Sequence, residues 1–181
     1  DHVMTSNYAE MSRLGARVVD DNQHMRAILL ALLRALGIKN LAEASDGADA
    51  LSLLQTRPFD FLLADINMQP IDGIEFAQMV RRSADSIAPM IPIIMVTGHT
   101  EKSKVTAARD AGVTEFVAKP VTAQALYLRV QEVIERPRNF VRTPTFFGPD
   151  RRRRADPKFK GPYRRQGDAD IVMADGAGKV D

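Results

Sequence analysis

Residues 59–73 read FDFLLADINMQPIDG, and this stretch decides the fold. Phe59–Ala64 is an almost wholly apolar run of strand length, as expected of a strand buried on both faces of a parallel sheet. Asp65 closes it. Asp72 and Glu75 then stand at the spacing of a capping box, with Asp in place of Ser or Thr. Phe76, Met79 and Val80 supply the buried stripe of the helix that this box opens. A strand ending in a carboxylate, a short loop and a capped amphipathic helix make one βα unit.

The same unit recurs on either side. Ala16–Asp20 (ARVVD) is a short run ending in acid, and Asn22 to Leu36 follows with Met25, Ile28, Leu29, Leu32, Leu33 and Leu36 at helical spacing. Gly37 stands where a helix C-cap glycine belongs. Leu41–Ala44 is a second strand, and Ser45-Asp46 caps a helix carrying Ala50, Leu51 and Leu54. Ile91–Val96 (IPIIMV) is a fourth strand, followed by a small-residue helix with Val105, Ala108 and Ala111 that ends at Gly112. Thr114–Ala118 is the fifth, and Thr122 caps a last helix with Leu126, Val130, Val133 and Ile134. Five strands alternating with five helices predict an α/β domain: one five-stranded parallel sheet with helices on both faces and right-handed crossovers.

A parallel open sheet brings the carboxyl ends of its strands to one edge, where such folds bind ligands. Asp20-Asp21, Asp65, Thr97 and Lys119 all fall at strand ends. Taken singly, the acidic pair reads as one helix cap and one solvated acid, Thr97-Gly98 as an ordinary strand end, and Lys119-Pro120 as a helix start. Together, three carboxylates at one edge repel one another unless a proton or a cation is held there. Magnesium suits such a site, because it accepts carboxylates while keeping several waters for a phosphate to displace. Thr97 followed by Gly98 leaves room for a phosphate-sized group.

The chain has 181 residues and a formal net charge of +2, but that balance conceals an asymmetry. From Arg136 onward there are 12 Lys+Arg against 6 Asp+Glu, whereas residues 1–135 hold 13 against 17. The organisation expected is an N-terminal extension over 1–15, the α/β domain over 16–135, and a basic Pro/Gly/Arg-rich tail over 136–181. The tail composition buries too little apolar surface to offset ordering entropy, so disorder is its expected state. Within it Gly148-Pro149-Asp150-Arg151-Arg152 recurs in rough form as Gly161-Pro162-Tyr163-Arg164-Arg165. Phe140, Phe146, Phe147, Phe159 and Tyr163 interleave with the basic residues, a composition that suits polyanions and base stacking. Asp150, Asp156, Asp168 and Asp170 interrupt the positive charge.

The absence of Cys excludes a disulfide scaffold, a cysteine nucleophile and thiolate metal sites, and fits a reducing compartment. No apolar run reaches the ~18 residues of a membrane span, and no signal-peptide build is seen at the start. A cytoplasmic protein without membrane contact is expected. The three His (His2, His24, His99) are scattered, which disfavours a zinc site or histidine catalysis.

Four segments in order carry a resemblance: VVDDN (18–22), DINMQPIDG (65–73), IIMVTGH (93–99) and EFVAKP (115–120). The chain resembles a response-regulator receiver domain of two-component signalling over residues 16–135. That resemblance implies the flavodoxin-like (βα)5 fold and a phospho-accepting switch rather than a turnover enzyme. Asp65 would be phosphorylated by a sensor histidine kinase or a His-phosphotransfer protein. Asp20, Asp21, Asp65 and the backbone carbonyl of Asn67 would hold Mg2+. Thr97 would bond a phosphoryl oxygen, Lys119 would pair with phosphate, and Phe116 would be the aromatic that moves as the surface over 100–135 changes.

Two departures stand out. The family commonly has Pro directly after the Met of the acceptor loop, whereas here Gln69 intervenes before Pro70. Phe116 replaces the frequent Tyr, so a switch there works by packing without a hydroxyl bond. An Asp-nucleophile phosphohydrolase is the alternative of the enzyme class, but such enzymes on related folds usually carry a second acid two residues after the nucleophile, where this chain has Asn67. A binding-class alternative makes the tail an output arm for nucleic acid or an acidic partner.

Overall fold

The computed structural model describes residues 2–55, 58–83, 86–150 and 170–172. Its centre is a five-stranded, all-parallel sheet in the order β2-β1-β3-β4-β5. The strands are β1 (Gly15–Val19), β2 (Asn40–Ala44), β3 (Phe61–Asp65), β4 (Ile93–Thr97) and β5 (Glu115–Ala118). This is the flavodoxin-like doubly wound order. Helices α1 (His2–Met11), α2 (Gln23–Ala35), α3 (Gly47–Leu54), α4 (Gly73–Arg82), α5 (Val105–Asp110) and α6 (Ala123–Glu135) complete the domain. A 3-10 turn over His99–Lys104 leads into α5, so the fourth helix of the sequence reading starts as a tighter coil.

Alternation along the strands divides the core in two. Leu62, Ala64, Ile93 and Met95 pack with residues of α3, α4 and α5. Phe61, Leu63, Ile94 and Val96 pack with residues of α2 and α6 on the other face. Burial on both faces explains the continuous apolar runs, and each such side chain contributes about 1.5–3 kcal/mol. Three caps follow the sequence reading, Asp46, Asp72 and Thr122, and the cap of α2 falls on Asn22 and not on the acidic pair; each accepts a backbone N–H three residues on, worth about 1 kcal/mol apiece. Gly37 and Gly112 close α2 and α5 at φ 101° and 103°, with Ile38 and Val113 N–H groups returning to Leu33 and Ala108 carbonyls. In α2 the buried stripe is Leu29, Leu30 and Leu33, whereas Ile28 stands 39% exposed.

Order extends past both expected boundaries. In the N-terminal extension, α1 places Met11 in the core shared with α2 and α6. At the other end, part of the segment after Arg136 is built into strands. Strands β6 (Phe140–Arg142) and β7 (Phe147–Pro149) form an antiparallel hairpin, and β8 (Asp170–Val172) pairs with the far edge of β6. Residues 151–169 and 173–181 of the expected disordered tail lie outside the described residues.

The hairpin is fixed by arginines whose partners lie far off in sequence. Arg81 is 3% exposed in α4 and donates to the carbonyls of Gly112, Pro89 and Ile91 and to Thr114 Oγ1. Its guanidinium lies 4.8 Å from the Phe140 ring centre, and Phe140 in turn packs on Phe147. Burial lowers the Arg81 pKa to about 9, which leaves it charged at neutral pH. Arg138 bonds the buried Glu115 carboxylate at 2.6 Å, and Arg129 approaches its other oxygen at 3.6 Å. The periodicity of residues 136–150 carries no sign of this order, because the apolar residues are docked by partners on α4 and the α5–β5 turn.

Removing Arg81 strands several buried acceptors at once. Arg81→Ala is expected to cost about 3 kcal/mol or more in chemical denaturation, and to raise amide exchange across 139–150. A loss below about 1 kcal/mol would show that Arg81 is not what ties the 89–91 and 112–114 backbone and the Phe140 ring to α4.

Candidate functional site

The register of the sheet builds the site. Val19 pairs with Ala64, Asp65 with Val96, and Thr97 with Ala118. One step beyond these pairs, Asp20 comes beside Asp65, and Lys119 beside Gly98. Backbone bonds continue the ladder past the strand ends, from Asp20 N–H to Ala44, Ile66 N–H to Val96 and Lys119 N–H to Thr97. The cluster sits at the switch point, where the sheet runs from β1 to β2 on one side and to β3 on the other.

Asp65 is 3% exposed and both its oxygens are engaged. Oδ2 receives Lys119 Nζ at 2.7 Å, and Oδ1 accepts Asn67 N–H at 2.9 Å. Asp20 is fully buried; its Oδ1 accepts Asn22 N–H at 2.8 Å, while Oδ2 is buried without a hydrogen-bond partner. Burial raises the Asp20 pKa to about 7, with the Asn22 N–H opposing and the neighbouring Asp65 carboxylate adding to the rise. Asp21 is exposed, and its Oδ2 accepts Gln69 N–H at 3.0 Å. Thr97 ends β4 at 8% exposure. Phe116 is half-buried against the α5 side, with the Arg109 guanidinium 5.6 Å from its ring centre. His99 is exposed at the start of the 3-10 turn.

The structure therefore brings Asp20, Asp65 and Lys119 into one cluster and sets Thr97 and Asn67 at its rim, while Asp21 is turned to the acceptor loop. Among the described residues, no three His, Cys, Asp or Glu side chains are grouped to share a metal ion. Two carboxylates with a buried, unpartnered oxygen still fit a divalent cation that keeps waters of its own. The Asn67 carbonyl belongs to the same short loop.

Several supporting residues escape a reading of the sequence. Arg26, from the first turn of α2, donates to the Asp20 carbonyl at 2.8 Å and lies 3.7 Å from Glu43. Nothing in its spacing separates it from a solvated helix charge. Gly73 opens α4 directly over the acceptor strand: a Cβ there would collide with the Asp65 carbonyl oxygen and lie 2.7 Å from Ile66 Cα. The Asp72-Gly73 pair in the sequence signals this close approach.

The raised Asp20 pKa fixes the sign of a pH effect. The unfolded chain releases this proton near 3.8 and the folded chain near 7, so the metal-free protein loses stability at this site as pH rises through that window. Denaturation midpoints without divalent cations are expected to fall between pH 5 and 7, and Asp20→Asn to flatten that slope. An unchanged slope in the variant would assign the effect elsewhere.

Against known proteins, residues 17–131 match the response regulator receiver domain family. The chemotaxis protein CheY of Pseudomonas aeruginosa is 42% identical over 119 residues, covering 66% of this chain and 94% of that protein. CheY-3 of Vibrio cholerae is 37% identical over 119 residues, covering 66% and 90%. Among solved structures, a response regulator of Chloroflexus aurantiacus superposes with a TM-score of 0.62 at 27% identity, covering 68% of this chain and 100% of its own. A receiver domain of a Pseudomonas aeruginosa sensor histidine kinase, solved with magnesium in its active-site cleft, shares the fold with a TM-score of 0.58 at 24% identity, covering 66% and 95%. The sheet order, the clustered strand ends and the match over 17–131 agree: the chain belongs to the response regulator receiver domain family, the receiving module of two-component signalling.

Proposed function

We propose that this protein is a phospho-accepting switch of the cytoplasm in which Asp65 takes a phosphoryl group from a phosphohistidine of a partner kinase or phosphotransfer protein. The observation that carries the reading is the Lys119 ammonium 2.7 Å from Asp65 Oδ2, beside the unpartnered buried oxygen of Asp20. An Asp65 oxygen attacks phosphorus, so that an O–P bond forms as the N–P bond breaks. The partner's imidazole leaves with the bonding pair and takes up a proton. Lys119 follows the negative charge from the carboxylate onto the transferred oxygens, and Thr97 donates its hydroxyl to one of them. Asp20, Asp21, Asp65 and the Asn67 carbonyl would hold Mg2+, whose positive charge would offset the crowded oxygens.

The new charge draws Thr97 toward the phosphoryl group and vacates space for Phe116, altering the surface over 100–135. Arg109 stacks on the half-buried ring and opposes that movement modestly. A turnover phosphohydrolase is disfavoured. Asn67 offers an amide where a second carboxylate would take a proton, and its backbone N–H is engaged on Asp65.

The tail supports a second reading as an output arm for polyanions, nucleic acid included. The observation favouring it is the docked hairpin, where Arg142 lies 4.4 Å from the Phe147 ring centre and the chain continues directly into Arg151–Arg154. Retention of a single-stranded oligonucleotide is expected to fall steeply with salt, and to weaken about tenfold when Arg151–Arg154 are all replaced by Ala. Equal retention by that variant would return the segment to a linker.

Mass spectrometry after acetyl phosphate and Mg2+ is expected to place one phosphoryl group on Asp65. Asp65→Asn should abolish labelling while the fold persists. Labelling of that variant to the wild-type extent would remove Asp65 from the role.

A further inference from the structure

Gln69 departs from the usual acceptor loop, and the phosphotransfer reading gives it no task. Its backbone N–H donates to Asp21 Oδ2 at 3.0 Å, across 48 positions of sequence. The bond crosses the switch-point crevice, joining the β3–α4 loop to the β1–α2 loop. Both residues are exposed, so water and cations reach the same carboxylate. Asp20 and Asp65 stand side by side at the strand ends, yet no three acidic side chains are grouped for a shared cation among the described residues. Asp21 is the acidic residue of the three whose carboxylate is engaged by Gln69 N–H.

We infer that the Gln69 amide is a positioning group that withholds Asp21 from the metal. Without a divalent cation the Asp21 carboxylate closes on Gln69 N–H and clamps the acceptor loop; when Mg2+ binds, the carboxylate leaves Gln69 for the cation. This rests on the metal site of the proposed function. Because the two states compete for one carboxylate, the coupling is reciprocal: a tighter clamp weakens Mg2+ binding, and Mg2+ loosens the loop over 66–72. The peptide amide alone does this. The Gln69 side chain is not required, and a proline at this position, having no N–H, is unable to form the clamp.

The test pairs two variants of the full chain with a measurement on the wild type. Calorimetric titration with Mg2+ is expected to give Gln69→Ala the wild-type affinity, since its N–H remains. Gln69→Pro should bind roughly tenfold more tightly, the scale of one hydrogen bond to a charged acceptor. In the wild type, Mg2+ should accelerate exchange of the Gln69 amide, a readout that stands even where Gln69→Pro fails to fold. Equal affinities together with an amide indifferent to Mg2+ would overturn the clamp while leaving the metal site intact. Absence of Mg2+ binding in all three proteins would overturn both.

Discussion

The ion pair between Lys119 Nζ and Asp65 Oδ2 is the contact around which the strand ends are arranged. Asp65 is almost fully buried beside a second buried carboxylate, Asp20. A carboxylate in that position without a positive partner carries a desolvation penalty that packing cannot return. Lys119 reaches it from β5 across the intervening β4, which requires the exact parallel register Asp65↔Val96 and Thr97↔Ala118. One ammonium among three acidic residues leaves the site net negative. That residual charge, with the unpartnered oxygen of Asp20, suits the cation and the phosphoryl group of the proposed function.

The receiver half of the molecule was legible because two periodicities mark it. Strands buried on both faces must be continuously apolar, and helices buried on one face must show the 3.6-residue stripe. The candidate site is legible for a related reason: Asp20, Thr97 and Lys119 each have an ordinary reading alone, but with Asp65 all four fall at the ends of runs that one parallel sheet brings to a single edge. Residues acting through the backbone or by long reach gave no such signal. Arg26 bonds a carbonyl, Gln69 contributes only its peptide N–H, and Arg81 reads as one more helix charge although it is buried.

The short strands after Arg136 carry no sequence signal for a related reason. Phe140 and Phe147 look like isolated aromatics in a Pro- and Gly-rich segment, which is ordinarily a mark of disorder. Their burial depends on α4 and on the turn before β5, both far off in sequence, and on close backbone approach at Gly112 and Gly148. Arg138 adds a buried ionic bond to Glu115, the residue immediately before Phe116. The hairpin is therefore attached to the same strand that carries the aromatic proposed to move.

The most direct test of this charge balance is the Mg2+-induced rise in Tm of Lys119→Met compared with the wild type. Loss of the ammonium leaves the carboxylates to the cation alone, so the rise should be larger in the variant, and the variant without Mg2+ should be the less stable protein. Identical rises in the two proteins, or none in either, would contradict the view that one ammonium and one divalent cation share the neutralisation of this strand edge.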